Sequence, residues 1–403
     1  RSTPIKSSAA SDVYKRQDII MKKLNLLFVT LFTLIQCNLA IHAQETNNLK
    51  YKNQDYHQAY IPKGDDILKN NPVKNVILMI GDGMGLAHLA SGMYANHNEL
   101  SITNISTIGL IKTQSGDKFT TDSAASGTAY ATGHKTHNGA IGVDMNDALI
   151  KNIPEIVTQS KFVAGVVTTD NISGATPSAF FAHQKDRGMS KEILTDLPKS
   201  KLSFIAGGSD EHFMKVYPQY KQILAAQDFI ILNDYKEVSN NLRNAKIALI
   251  AFQKDVDSKQ YGRGEFLPKT TKNAIEFLNN KKATGFFLMV EGAQIDKRAH
   301  ENNFAGVIQE VLDFDKAVAE AIAFADKDKN TLVIVTADHE TGGLSIKKGD
   351  IAQSSLEGNF SSKGHTPIMV PIFAYGPSSD NFKGVMENNE VMKKIISVLI
   401  KQK

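Results

Sequence analysis

From Val73 onward, apolar runs of strand length alternate with stretches of helical period. The strand candidates are Val76–Ile80, Phe162–Thr168, Phe229–Leu232, Ile247–Phe252, Phe286–Val290, Leu332–Val335 and Ile372–Tyr375. Helical patterns cover 269–280, 302–326 and 388–400. The strand runs are near-continuous and rich in β-branched residues rather than alternating with polar ones. Such runs, separated by helices, mark strands buried on both faces. The expected fold is α/β, a mostly parallel central β-sheet flanked by helices on both faces. No internal repeat, low-complexity tract or Pro- or Ser-rich linker interrupts the chain after residue 72, so 73–403 is expected to form one continuous domain. Residues 44–72 are polar and irregular and read as an N-terminal arm.

The head of the chain has a different pattern. Residues 1–20 are polar, Ser-rich and aperiodic, and read as an upstream translation artefact. Met21 then leads Lys22 and Lys23, an apolar run from Leu24 to Ile35, and small residues ending at Ala43. A basic start, a short apolar core and a small-residue end predict a signal peptide over 21–43, and hence export to the periplasm or medium. The alternative, a membrane anchor, needs a longer apolar run. The only cysteine, Cys37, would leave with this segment. Composition changes meaning accordingly. The net charge is +4, and residues 1–43 hold six basic and two acidic residues, also +4, so the remainder is near neutral. The basic surplus therefore gives no argument for a nucleic-acid partner.

In a parallel α/β sheet, ligands bind beyond the carboxyl ends of the strands. Three strand candidates run directly into acidic residues: Asp82, Glu291 and Asp338. Asp82 lies in Gly81-Asp82-Gly83-Met84-Gly85, whose glycines permit a tight turn and close approach of a ligand; a plain strand-to-helix turn reads equally well. Ser123, in Asp122-Ser123-Ala124-Ala125-Ser126, is expected at a helix N-terminus, where free N–H groups favour an anion. A simple N-cap is the competing reading. Thr176 precedes Pro177, and a helix starting there would place Arg187 about three turns on, as a phosphate fork or an ordinary surface arginine. Asp296 and His300 share one helical face, a spacing that suits zinc or a surface hydrogen bond. Asp338-His339 and Gly364-His365 complete the set. The histidines at 57, 88, 97, 134, 137, 183 and 212 have no such company.

Taken in order, these motifs resemble the alkaline phosphatase family. The likeness runs from Val76 to about Pro377, and TTDSAASGTAYATGHKT, EGAQIDKRAH and TLVIVTADHETGG are its most specific segments. The resemblance implies hydrolysis of small phosphate monoesters through a phosphoserine at Ser123, on two Zn2+ and one Mg2+. It implies Asp296, His300 and His365 as ligands of one zinc. Asp82, Asp338 and His339 would hold the second, which also touches Ser123, and Asp82, Thr176 and Glu291 the magnesium. Arg187 would clamp phosphate, Lys297 would reach it through water, and a homodimer is the implied assembly.

Two departures qualify the likeness. Gly174 stands where the family often has Asp or His, two residues before the magnesium threonine, and the missing side chain is expected to loosen that region. The spans between Arg187 and Glu291 and between His339 and His365 are short, implying reduced accessory insertions and an open site. Two alternatives remain at this level: a phosphodiesterase of the same superfamily, or an inactive phosphate- or metal-binding protein. A sulfatase would need a nucleophile followed closely by Pro and Arg, which Ser123 lacks.

Overall fold

A computed structural model describes residues 21–30, 33, 49–64 and 70–400. Residues 1–20 and 34–43, on which part of the leader reading rests, lie outside the described residues. Residues 21–30 form a helix whose side chains are exposed. Among the described residues, no helix is long and apolar enough to cross a membrane.

Residues 50–403 make one compact unit around a ten-stranded sheet. Its strands are β1 (Asn75–Gly81), β2 (Thr107–Lys112), β3 (Val163–Asn171), β4 (Leu202–Gly208), β5 (Phe229–Leu232), β6 (Lys246–Ala251), β7 (Phe286–Gly292), β8 (Thr331–Thr336), β9 (Val370–Tyr375) and β10 (Gly384–Glu387). The order across the sheet is β10-β2-β9-β8-β1-β7-β3-β4-β6-β5. Every neighbouring pair is parallel except those that β9 makes with β2 and β8. The sheet is therefore mostly parallel with one inverted strand, as the apolar runs predict. β1, β7 and β8 are buried along their whole length, because helices such as Phe304–Asp328 cover the sheet with Val307, Val311, Phe314, Val318 and Ile322.

The strand candidates did not include β2, β4 or β10, the last a four-residue edge strand with little apolar signal. β2 alternates buried and exposed positions, so it lacks the continuous apolar run. β4 closes on two glycines that dilute its apolar signal. The arm is also more ordered than its polarity suggests. Lys50–Lys52 pairs with Ser355–Phe360, which pairs in turn with Leu344–Asp350. His57 Nε2 lies 2.8 Å from Asp315, and the Tyr60 hydroxyl donates to Asp326 at 2.7 Å.

One buried charge cluster braces the long helix. Arg263 donates to Glu310 and, at 2.8 Å, to Asp313, and all three are buried. Removing the cation strands two carboxylates in the interior, which costs about 3–5 kcal/mol. Arg263→Ala is therefore expected to lower the free energy of unfolding by that amount, read as a lower urea midpoint at unchanged slope on the metal-loaded protein. An unchanged midpoint would mean that Lys259, 3.0 Å from Asp313, suffices alone.

Candidate active site

The register of the sheet levels the acidic strand ends. Ile80 on β1 pairs with Glu291 on β7 and with Thr336 on β8. Asp82 and Asp338 each lie two residues further on, so three adjacent strands present carboxylates at one rim. Thr168 on β3 pairs with Glu291 and donates its hydroxyl to it.

The turn after β1 depends on glycine. Gly83 has φ +70°, and a Cβ there would come within 2.8 Å of Thr341 Oγ1 and 2.9 Å of Asp296 Oδ1. Its N–H donates to Asp338 Oδ1 at 3.0 Å, as does the N–H of His339.

Ser123 opens the helix Ser123–Thr132, but it is not the cap. Asp122 is the N-cap and accepts from the Ala125 N–H. The Ser123 hydroxyl is thereby left free of capping and lies 3.2 Å from His339 Nε2. The small residues of this helix let it sit close: a Cβ on Gly127 would be 3.3 Å from Thr176 Cα. Ser126 and Tyr130 hydroxyls donate to the Asp338 and Ala337 carbonyls, both at 2.8 Å, which fixes the serine beside the end of β8.

Three oxygens converge on His339 Nε2: Ser123 Oγ at 3.2 Å, Asp338 Oδ2 at 3.2 Å and Asp82 Oδ1 at 3.5 Å. A single ring nitrogen cannot satisfy three oxygens, whereas a cation between them can. The far nitrogen, Nδ1, lies 3.2 Å from the Thr341 hydroxyl, not against a carboxylate as in a Ser–His–Asp triad. Asp82 Oδ1, Asp338 Oδ2 and Thr176 Oγ1 are buried with no hydrogen-bond partner. Buried polar atoms are almost always partnered, so these orphans fit a bound cation.

The second half of the cluster comes from two other elements. Asp296 and His300 lie on the helix Gln294–His300, with His300 Nε2 3.2 Å from Asp296 Oδ2. Glu340–Thr341 pairs with His365–Thr366, and this short ladder carries His365 in. Its ring stacks on that of His339 at 3.5 Å, and its Nε2 lies 3.1 Å from His300 Nε2 and 3.6 Å from Asp296 Oδ1. Asp82–Asp338–His339 and Asp296–His339–His365 each bring ligand atoms within 4.8 Å of one another. His300 adjoins the second group from its more exposed edge.

Electrostatics mark the same rim. Burial, and then the neighbouring Asp338, Asp296 and Glu291 carboxylates, push Asp82 well above the usual carboxylate range. Burial and the nearby Asp170 raise Glu291 to about 8. Such crowding of buried acids is costly unless positive charge offsets it.

Arg187 arrives by a different route from the one predicted. The helix at Pro177 is one turn long, Ala175–Ser178. The chain then runs antiparallel beside 139–141, with Ile141 paired to Gln184 and the Arg187 N–H donating to Gly139 at 2.7 Å. This pairing replaces further helical turns and brings Arg187 Nη1 to 3.1 Å from Asp122 Oδ2, beside Ser123. Its side chain is 43% exposed. Lys297 pairs with Asp170 at 2.5 Å.

The sequence reading did not assign Asp122 as the partner of Arg187, nor Thr341 or Asp170. Asp122 carried a signal, since it adjoins Ser123; the other two are brought in by strand ends and a turn that local pattern does not relate. His88 is buried behind the cluster, 3.8 Å from Glu340. His57 and His183 lie against the carboxylates of Asp315 and Glu155, away from this rim.

Comparison with known proteins gives the same picture. The alkaline phosphatase family profile matches residues 73–212 and 250–357. Alkaline phosphatase 4 of Bacillus subtilis is 31% identical, over 81% of this chain and 89% of its own length. The Escherichia coli alkaline phosphatase is 30% identical, over 81% and 86%. The alkaline phosphatase structure from the Antarctic bacterium TAB5 superposes with a TM-score of 0.78 at 40% identity, covering 83% of this chain and all of that one. Since likeness in both sequence and backbone spans the part of the molecule that builds the strand-end rim, this chain belongs to the alkaline phosphatase family and is a metal-dependent phosphatase.

Proposed function

We propose that this enzyme hydrolyses small phosphate monoesters through a phosphoserine at Ser123, in a site holding two zinc ions and one magnesium ion. The observation that carries the reading is the convergence of Ser123 Oγ, Asp82 and Asp338 on one buried point beside His339. Asp296, His300 and His365 form the first zinc set, and Asp82, Asp338 and His339 the second, a mixed N/O chemistry that suits zinc. Asp82, Thr176 and Glu291 form an all-oxygen set that suits magnesium. When bound, such ions stabilise attacking and leaving oxygens and lower the pKa of hydroxyl and water.

The chain's own residues do the positioning that phosphoryl transfer chiefly requires. Ser123 Oγ loses its proton and attacks phosphorus in line; the Oγ–P bond forms as the bond to the alcohol oxygen breaks. The alcohol leaves and takes up a proton. Water then attacks from the vacated side, the Oγ–P bond breaks, and inorganic phosphate departs with Ser123 regenerated. The N–H groups that open the helix Ser123–Thr132 face the developing charge. Arg187, oriented by Asp122, presents two parallel donors to the non-bridging oxygens, and Lys297 reaches phosphate through water.

A fork of this kind favours a dianionic monoester over a monoanionic diester. Turnover of p-nitrophenyl phosphate is therefore expected to exceed that of bis-p-nitrophenyl phosphate. Arg187→Ala should lower kcat/KM for the monoester by roughly 10–100-fold, the worth of a charge-assisted hydrogen bond or two, with a smaller loss for the diester. A diester rate above the monoester rate would replace this reading with a phosphodiesterase. The basic and apolar pattern of 21–43 supports export by a signal peptide, with 44–72 as an arm and 73–403 as the catalytic domain. A homodimer is the assembly the family likeness suggests.

A further inference from the structure

Gly174 was expected to leave the magnesium side loose, yet the space above it is filled. A Cβ built on Gly174 would come 2.5 Å from Asp170 Oδ2 and 2.9 Å from Asp170 Cγ. Gly174 has φ −56° and ψ 156°, a conformation open to any residue, so its backbone has no need of glycine. The closest clash is with the carboxylate of Asp170, ahead of the Asn171 carbonyl oxygen at 3.0 Å.

That carboxylate is connected on two sides. Asp170 Oδ1 lies 2.5 Å from Lys297 Nζ, with side chains 23% and 38% exposed respectively. The Asp170 N–H donates to Thr168 Oγ1 at 2.8 Å, and Thr168 donates to Glu291. The register of β3 against β4 breaks between Val167 and Asn171. An irregularity of this kind re-aims side chains near active sites, and here it turns Asp170 out of the sheet toward the rim. Lys297 directly follows Asp296 on its helix, so without Asp170 its long side chain would be free to swing into solvent.

We propose that Asp170 is a positioning residue for phosphate binding: its carboxylate takes the room left by Gly174 and holds Lys297 over the phosphate side of the site. This rests on the site assignment given above. The ammonium has three donors. One is engaged by Asp170, which leaves two for the substrate or its water. Asp170 and a side chain at 174 are alternatives for one space.

The test uses the metal-loaded full chain and reads two quantities: kcat and KM for p-nitrophenyl phosphate, and the calorimetric Kd for inorganic phosphate. Asp170→Ala is expected to raise KM and the phosphate Kd about tenfold, the scale of one charge-assisted contact, with kcat changed less. Lys297→Ala should match it, and the double variant should be no worse than either. Gly174→Ala should weaken phosphate binding in the native background and have a much smaller effect in the Asp170→Ala background, where the Asn171 carbonyl oxygen at 3.0 Å still crowds the new Cβ. Adding Gly174→Asp to Asp170→Ala should recover part of the affinity. If Asp170→Ala lowers Tm but leaves KM and Kd at native values, Asp170 is only structural and the proposal is wrong. Additive losses from Asp170→Ala and Lys297→Ala would overturn it equally. Failure of the native enzyme itself to turn over monoesters or bind phosphate would instead sink the site assignment.

Discussion

Ser123→Ala is expected to abolish turnover of p-nitrophenyl phosphate, by a factor on the order of 10⁴ or more, as removal of a nucleophile does elsewhere. The structure makes this a clean variant. The helix Ser123–Thr132 is capped by Asp122, so the serine hydroxyl contributes no cap. Alanine is a good helix former at the first helical position. Tm and zinc content should therefore stay at native values while the rate collapses. The Ser123 hydroxyl contacts His339, and deleting it removes no ligand atom from either carboxylate–histidine group. Monoesterase activity near the native level in this variant would disprove the phosphoserine route. Loss of zinc together with activity would show that Ser123 matters as a ligand rather than as a nucleophile.

Exhaustive chelation is the second large effect. It should eliminate activity and lower stability together, because the same residues serve both. Asp82, Glu291, Asp296 and Asp338 are all buried, and Asp82 and Glu291 are already pushed up, first by burial and then by neighbouring carboxylates, Asp338 beside Asp82 and Asp170 beside Glu291. A cation that binds only the folded state at a thousandfold excess over Kd adds about 4 kcal/mol. Tm should thus fall well below native after treatment with a chelator and rise again with zinc, and activity should return fully only when magnesium is also supplied. Elemental analysis before treatment should find two zinc ions and one magnesium ion per chain. A chelated protein that retains both its rate and its Tm would remove the metal assignment altogether.

These two expectations draw on different amounts of sequence information. The family and the candidate ligands were legible, because metal and phosphoryl chemistry restrict the residues that can do it, and the segments around Ser123, Asp296 and Asp338 are distinctive. Ser123 alone was ambiguous between nucleophile and helix cap. The structure removes the cap reading, because Asp122 makes the cap and at the same time holds Arg187 at 3.1 Å. The helix predicted to carry Arg187 was wrong in length. Sequence pattern saw a helix start at Pro177, but the segment that follows pairs with 139–141 instead of making further turns. Tertiary partners of that kind override local propensity.

The region around Gly174 shows the same limit from the other side. A missing side chain reads from sequence as a gap. Asp170 fills that gap from four residues upstream, through a strand irregularity that no periodicity announces.

The sequence by itself determined most of the buried parallel strands, since continuous apolar runs are needed when both faces of a sheet are covered. It also supplied the residues of the proposed ligand set. Only the tertiary structure decided which of those residues meet. Asp82, Glu291 and Asp338 lie far apart along the chain, and they share one rim because β8, β1 and β7 are neighbours in register. His365 joins them through two residue pairs with Glu340–Thr341. Strand order and register follow from packing the whole sheet against its helices, a property of the entire chain that no local window contains.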